Sequence, residues 1–90
     1  MAKKLGVVSR KTWEKLERFD YGDLYSARKG VNPNRYWEPD DAVKILTCVN
    51  NFGRLYILAD IGYGSHFGHF DFDNLRGALN WVMRRVEVVG

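Results

Sequence analysis

Residues 42–61 read AVKILTCVNNFGRLYILADI, and this stretch decides the fold. Two runs of β-branched and apolar residues flank Asn50-Asn51-Phe52-Gly53, where Asn and Gly readily adopt the positive φ angles of tight turns. Alternation gives each run one apolar face, comprising Val43, Ile45, Thr47 and Val49 in the first and Leu55, Ile57, Ala59 and Ile61 in the second. The stretch therefore predicts a β-hairpin, with Cys48 buried in its first strand.

The residues after the hairpin predict a third strand and a helix. Gly62-Tyr63-Gly64 supplies another turn, and residues 65–72 can pair antiparallel with the second strand. Asp73 is a candidate N-cap for a helix with an apolar stripe formed by Leu75, Ala78, Leu79, Val82, Met83 and Val86. This pattern predicts a three-stranded antiparallel meander packed against an amphipathic C-terminal helix.

The segment before the hairpin begins with a predicted helix. Ser9 is a good N-cap, and apolar residues then recur at helical spacing up to Phe19, so we expect a helix over residues 10–19. A second helical stretch is expected over residues 21–29, with Gly30 as its C-terminal stop. Residues 1–8 are predicted to form a flexible tail.

Residues 31–41 are expected to form an ordered loop. They contain Pro33 and Pro39, and proline is excluded from helix interiors and central strands. The pair Tyr36-Trp37 should place at least one ring on the core, because two large rings left in water would forfeit considerable burial.

Together these elements predict a single α+β domain over residues 1–90. In this domain the N-terminal helical segment and the C-terminal helix pack on the antiparallel meander. The apolar fraction of 46% is too high for a disordered chain, and 90 residues can build only one core.

Composition also favours an intracellular protein. Cys48 is the sole cysteine, which excludes an intrachain disulfide framework. The apolar stretch near the N-terminus is shorter than a signal peptide requires, and no run approaches the roughly 18 apolar residues of a membrane span. We therefore expect a cytoplasmic location and no membrane association.

The sequence gives little support to metal binding or catalysis. Strand alternation places His66 and His69 on opposite faces, so that only His69 and Asp71 share one, whereas a structural zinc site needs four converging ligands. A nucleophilic site would need Cys48 or a serine beside an imidazole backed by a carboxylate, and neither a nucleophile elbow nor a phosphate-binding glycine loop occurs. We expect no metal, no cofactor and no enzymatic activity.

Two binding functions remain open. A nucleic-acid-binding domain could use the aromatic residues Tyr25, Tyr36 and Trp37 with a patch of basic residues, namely Lys3-Lys4, Arg10-Lys11, Arg28-Lys29, Arg35, Arg54 and Arg84-Arg85. The net charge of +3 is modest for such a role.

A protein-binding module is the leading hypothesis. Trp81 lies off the apolar stripe of the C-terminal helix, beside Arg84 and Arg85 in its expected last turn, and Trp and Arg are enriched at the energetic centres of protein interfaces. We expect these three residues, with Tyr36 and Trp37, to contact a protein partner or a second copy of the chain. The alternative is that Trp81 packs within the domain. A small regulator or inhibitor that docks on a larger assembly would fit, as many accessory proteins of phage and mobile elements do, although no motif indicates that origin.

Overall fold

The structure, a computed structural model, describes residues 4–30, 34–40 and 42–90. In chain order the described elements are β1 (Gly6–Ser9), α1 (Arg10–Arg18), α2 (Tyr21–Ser26), β2 (Arg28–Lys29), β3 (Arg35–Asp40), β4 (Val43–Val49), β5 (Leu55–Ile61), β6 (His66–Asp71), α3 (Leu75–Met83) and β7 (Val86–Val89). The α+β class predicted from the sequence is confirmed.

The described strands β2 to β6 form one antiparallel sheet in the order β2-β3-β4-β5-β6, here called the main sheet. The predicted hairpin is β4 and β5, paired from Val43↔Ile61 to Val49↔Leu55, and β6 adds the predicted third strand. The three-stranded meander is therefore part of a larger one, because β3 and β2 extend it on the β4 side.

The core lies between one face of the main sheet and the helices. Ile45, Ile57 and Ala59 on the sheet are fully buried against Leu16 of α1 and Leu79 of α3. The predicted apolar stripe of the C-terminal helix is confirmed for its first four members, since Leu75, Ala78, Leu79 and Val82 are all buried. The opposite side of the main sheet carries Leu46, Tyr56 and Leu58, which do not belong to this core cluster, and that side is called the open face.

The expected loop over residues 31–41 is wrong for Arg35–Asp40, which form β3. Residues 31–33, including Pro33, and residue 41 lie outside the described residues. Pro39 is tolerated because it lies where the register with β4 shifts, between Trp37 and Asp40, and beyond the two residues that pair with β2. Proline fits such places because no ladder hydrogen bond is required of it.

The expected flexible tail is also wrong for its last three residues. Gly6–Ser9 forms β1, which pairs in parallel with β7, and Val8 is fully buried. Val86, which the sequence assigned to the helix stripe, is buried as well but opens β7. The first and the last described strands, β1 and β7, thus pair with each other. Each has only four residues, too few for the sequence pattern to indicate a strand.

Helix ends differ from the predicted ones by a few residues. Ser9 caps α1 as expected, its hydroxyl accepting from the Thr12 amide. The N-cap of α3 is Asn74 rather than Asp73. The second helix ends at Ser26 instead of continuing to Lys29, because Ala27 is already extended and leads into β2.

Candidate functional site

The turn end of the β4–β5 hairpin exposes large apolar side chains. Phe52 at its tip is 89% exposed, and the closing pair Val49 and Leu55 are 42% and 48% exposed. Isolated apolar residues on a surface are ordinary, but three on one short projection form a patch. These residues, with Asn50, Asn51, Gly53 and Arg54 between them, are called the hairpin end.

Hydrogen bonds hold the backbone of the hairpin end in one conformation. The Asn50 side-chain oxygen accepts from the Phe52 amide at 2.8 Å and from the Arg54 amide at 3.0 Å. The Asn50 amide donates to the Arg54 carbonyl, and the Gly53 amide donates to the Asn50 carbonyl. Gly53 has a φ of 78°, which glycine adopts without strain. Phe52 is therefore presented by an ordered turn.

Aromatic residues continue the apolar surface from the hairpin end toward α2. Leu55 and Phe72 line one shallow hollow together. The Phe72 ring lies 6.0 Å from that of Tyr25, which is 55% exposed. The sequence indicated Tyr25 only as a candidate nucleic-acid contact. The structure places it at the border of this apolar surface.

The open face of the main sheet adjoins the hairpin end. Register places Tyr36, Leu46, Leu58 and His69 in one row across four strands. A second row, nearer the hairpin end, consists of Cys48, Tyr56 and Asp71. This face is mixed in character, with aromatic and aliphatic side chains between charged ones.

A hollow of about 470 Å³ lies where the open face meets the hairpin end. Its lining residues are Val49, Asn50, Asn51, Tyr56, His69, Phe70 and Asp71. The Tyr56 and His69 rings meet edge to face with their centres 5.6 Å apart. This space is called the β5–β6 hollow.

Charges on the open face nearly cancel. Glu38 is 3.8 Å from the Arg28 guanidinium and 3.6 Å from the Lys44 ammonium. Asp60 and Asp71 add two carboxylates to the same face. Among the described residues of this face, three acidic side chains therefore stand against two basic ones, which does not favour a phosphate backbone as its ligand.

The basic residues singled out in the sequence are distributed over separate parts of the structure. Arg28 and Arg35 lie by β2 and β3, where Arg35 donates to the Ala27 carbonyl at 3.2 Å. Arg54 lies at the hairpin end, and Lys4 lies near Arg84, whose carbonyl it approaches at 3.5 Å. Lys3 is outside the described residues.

Trp81 is half-buried and packs within the domain. Its ring lies over β6, and the ring centres of Trp81 and Phe70 are 6.0 Å apart. A Cβ atom added at Gly68 would lie 3.0 Å from the Trp81 ring. The Arg85 guanidinium sits 4.7 Å from the ring centre and also donates to the Trp81 carbonyl. This packing agrees with the alternative left open in the sequence, that Trp81 packs within the domain, while its contact with a partner stays a prediction.

Arg84 and Arg85 do not lie in the last helical turn as expected. Arg84 is the C-cap of α3 and is exposed, whereas Arg85 follows the helix. Contact between these residues and a partner stays a prediction. Their surface is separate from that of Tyr36 and Trp37, because β4 and β5 lie between β3 and the β6 edge that Trp81 covers.

Tyr36 and Trp37 point to opposite faces of the main sheet. Trp37 packs on the core side, where its ring centre is 4.6 Å from that of Phe19, so the prediction that one ring of this pair reaches the core is confirmed. Tyr36 lies on the open face under the Arg28 guanidinium, which is 4.6 Å from the ring centre.

Cys48 is buried, as predicted. Burial raises the pKa of its thiol, and a hydrogen bond with Tyr56 opposes this effect only in part. The thiolate is the nucleophilic form of cysteine, so a raised pKa makes this side chain a poor nucleophile.

The groups that could support other chemistry are dispersed. Ser65 Oγ lies 2.9 Å from His66 Nδ1, but no carboxylate is hydrogen-bonded to that imidazole in the described part of the chain. Asp60 is buried, one of its oxygens has no hydrogen-bond partner, and burial raises its pKa. Within residues 4–30, 34–40 and 42–90, no three His, Cys, Asp or Glu side chains gather where they could share a metal ion.

No protein-family model, no curated protein and no solved structure matches this chain. Among the described helices, none has the length and apolar character needed to cross a membrane. The proposals below accordingly depend on the chain's own residues.

Proposed function

We propose that this chain is a non-enzymatic protein-binding module, which acts as a regulator or inhibitor by docking its hairpin end on a larger protein in the cytoplasm. The observation that carries the proposal is the Phe52 ring, which is 89% exposed on a turn that four hydrogen bonds hold in place. A side chain so exposed contributes little to the packing of the described residues.

The energetics of the hairpin end suit a binding surface. Burial of one phenylalanine side chain contributes roughly 1.5–3 kcal/mol, and Val49 and Leu55 beside it offer further apolar area. Because the turn is already ordered, little conformational entropy remains to be lost on association. Asn50, Asn51 and Arg54 surround the apolar residues with polar groups, which resembles the rim of a protein interface.

The shape of the hairpin end supports the regulatory part of the proposal. A narrow, ordered projection with an aromatic tip can enter a concave site on another protein and occupy it. An inhibitor that blocks a site in this way needs no catalytic group. The single free cysteine, buried and without a partner for a disulfide, is consistent with a reducing compartment.

The nucleic-acid alternative receives less support. The basic residues lie in separate regions, and the open face carries more acidic than basic groups. Binding to nucleic acid would require a basic surface that follows the phosphates, and its affinity would fall steeply with salt.

The proposal is tested by Phe52→Ala, with Tyr63→Ala as the matched control. Tyr63 is 78% exposed in the β5–β6 turn, at the opposite end of β5 from the hairpin end. Tagged wild-type and variant chains are expressed in the cells of origin, and the proteins retained with each are compared. Phe52→Ala should lose a partner that Tyr63→Ala and the wild type retain, while all three keep the same melting temperature.

Two results would reject the proposal. One is a partner that Phe52→Ala retains undiminished, and the other is steeply salt-dependent binding of the purified chain to a mixed-sequence DNA or RNA probe. Sedimentation of the purified chain shows whether the partner is a second copy, in which case Phe52→Ala should shift a dimer to monomer.

A further inference from the structure

The β5–β6 hollow has the wall chemistry of a site for a positively charged side chain. It lies directly beside the hairpin end, since Val49, Asn50 and Asn51 belong to both. Of the described residues, Asp71 supplies the one carboxylate that lines the hollow, and none of the described lysines or arginines lines it. Asp71 forms no ion pair within 4 Å in the described part of the chain.

The aromatic wall of the hollow points to the same ligand. A guanidinium or ammonium group is attracted to the face of an aromatic ring by about 0.5–2 kcal/mol. This chain already uses that contact twice, with Arg28 at 4.6 Å from the Tyr36 ring centre and Arg85 at 4.7 Å from that of Trp81. Among the described residues, no cation lies over the Tyr56 ring. Asp71 is its cross-strand neighbour, so a cation over this ring would also be close to a carboxylate.

The ring of Tyr56 supplies apolar contact area in the hollow. It can contact the methylene groups of a long side chain, whose charged end then reaches Asp71. The Val49 and Phe70 side chains themselves belong to the core side of the main sheet. The volume of about 470 Å³ is within the range of ordinary ligand sites and exceeds that of one side chain, so neighbouring backbone could enter as well.

We propose that the β5–β6 hollow receives a lysine or arginine side chain of the protein that docks on the hairpin end. This inference rests on the proposed function and specifies the chemistry of the partner. The partner then presents an apolar site for Phe52 and, next to it, a basic residue for Asp71. Tyr56 and Asp71, which the sequence analysis did not select as partner-binding residues, become binding residues.

The test uses random 12-residue peptides displayed on phage and selected on the immobilised full chain. The selected peptides should contain a lysine or arginine next to aliphatic or aromatic residues. Their affinities are then measured by fluorescence anisotropy for the wild type, for Asp71→Asn, and for the control Glu17→Gln. Glu17 is an exposed carboxylate on α1 that does not line the hollow, so the control makes the same change in charge.

Asp71→Asn should weaken binding about tenfold, since the ion pair is lost and only a hydrogen bond to a neutral amide oxygen remains, whereas Glu17→Gln should leave it unchanged. In the peptide, replacement of arginine by citrulline keeps the shape and removes the charge. It should weaken binding to the wild type by at least a similar factor, and the two changes together should weaken binding by less than the product of their separate effects.

The inference is overturned if the selected peptides show no enrichment of basic residues, or if Asp71→Asn binds them as tightly as the wild type does. The two proposals can fail separately. Peptides or a cellular partner that depend on Phe52 but not on Asp71 would leave the proposed function standing and reject the cationic site. Dependence on neither residue would reject both.

Discussion

The two ends of the β4–β5 hairpin, the hairpin end and the end away from the turn, have the same alternating sequence pattern but differ in burial. On the core side of β4, Val43 and Ile45 are fully buried, whereas Val49 on the same face is 42% exposed. On β5, Ile57 and Ile61 are fully buried and Leu55 is 48% exposed. Alternation identifies which side chains share a face, but it does not show how far along the strands that face is covered.

The difference has a geometric cause. A helix rises only 1.5 Å per residue and a strand about 3.3 Å, so the nine residues of α3 span about 13 Å and the seven of β5 about 23 Å. A helix of this length that packs on β5 and β6 cannot cover both ends of the strands. The uncovered end is the one that carries Phe52.

The largest expected effect contrasts Ile57→Ala with Leu55→Ala. Ile57 is fully buried in the core, and its truncation should lower the free energy of unfolding by about 2–5 kcal/mol. Leu55 belongs to the same face of the same strand, but its truncation should cost less than about 1 kcal/mol because half of the side chain is in water. Urea unfolding of the two variants measures both values, and equal losses would mean that the hairpin end is covered.

A second prediction concerns Trp81, for which the sequence left both a partner contact and packing within the domain open. Its ring packs over Gly68 and Phe70 of β6, so Trp81→Ala should lower the free energy of unfolding by about 1–3 kcal/mol. Arg84→Ala is the control, because that side chain is exposed and should change stability by no more than about 0.5 kcal/mol. Thermal unfolding of both variants is the measurement. An unchanged midpoint of thermal unfolding for Trp81→Ala would contradict this prediction and favour a role for Trp81 in partner binding.

The turn of the hairpin end offers a smaller effect. Asn50→Ala removes the side-chain oxygen that accepts from the Phe52 and Arg54 amides, which should cost about 1 kcal/mol of stability. The Phe52 ring would then be presented by a less ordered turn, so the affinity for a partner should fall as well. Asn51→Ala is the comparison variant, since both side-chain hydrogen bonds found in the turn among the described residues are accepted by Asn50. If Asn50→Ala left both affinity and stability unchanged, preorganisation of the turn would play no part.

Cys48 provides a probe that requires no substitution. Because burial raises the pKa of its thiol, the reactive thiolate should be scarcer near pH 8 than in an exposed cysteine, and labelling by a thiol reagent should accelerate only as the pH rises further. Labelling in denaturant gives the reference rate. Rapid labelling of the native protein would show that β4 separates from β5 near Cys48. The register that defines the open face would then not be maintained.

The sequence predicted the elements whose patterns are long and regular. The hairpin, the third strand and the stripe from Leu75 to Val82 are confirmed because each rests on several residues with one period. Strand β3 was missed because prolines in the segment outweighed its pairing with β4, which only tertiary structure supplies. Strands β1 and β7 were missed because parallel partners at the two ends of a chain leave no local signal.

Apart from Arg54, the hairpin end was not among the residues that the sequence singled out for binding. Aromatic residues were expected to mediate binding, but the structure places Trp37 on the core and Trp81 over β6. Phe52 was interpreted as part of a turn. A large aromatic residue between turn-forming residues indicates a binding role, because the conformation of a hairpin turn favours Asn and Gly and does not depend on a phenylalanine.

The most direct test of the central claim is photo-crosslinking at position 52. The chain is expressed in its own cells with benzoylphenylalanine in place of Phe52, and a second form carries the same residue in place of Tyr63, which is also exposed. Irradiation should join the position 52 form to one discrete partner and leave the position 63 form without that product. If neither form gives a product, or if position 63 gives the same partner as position 52, the hairpin end is not the docking surface.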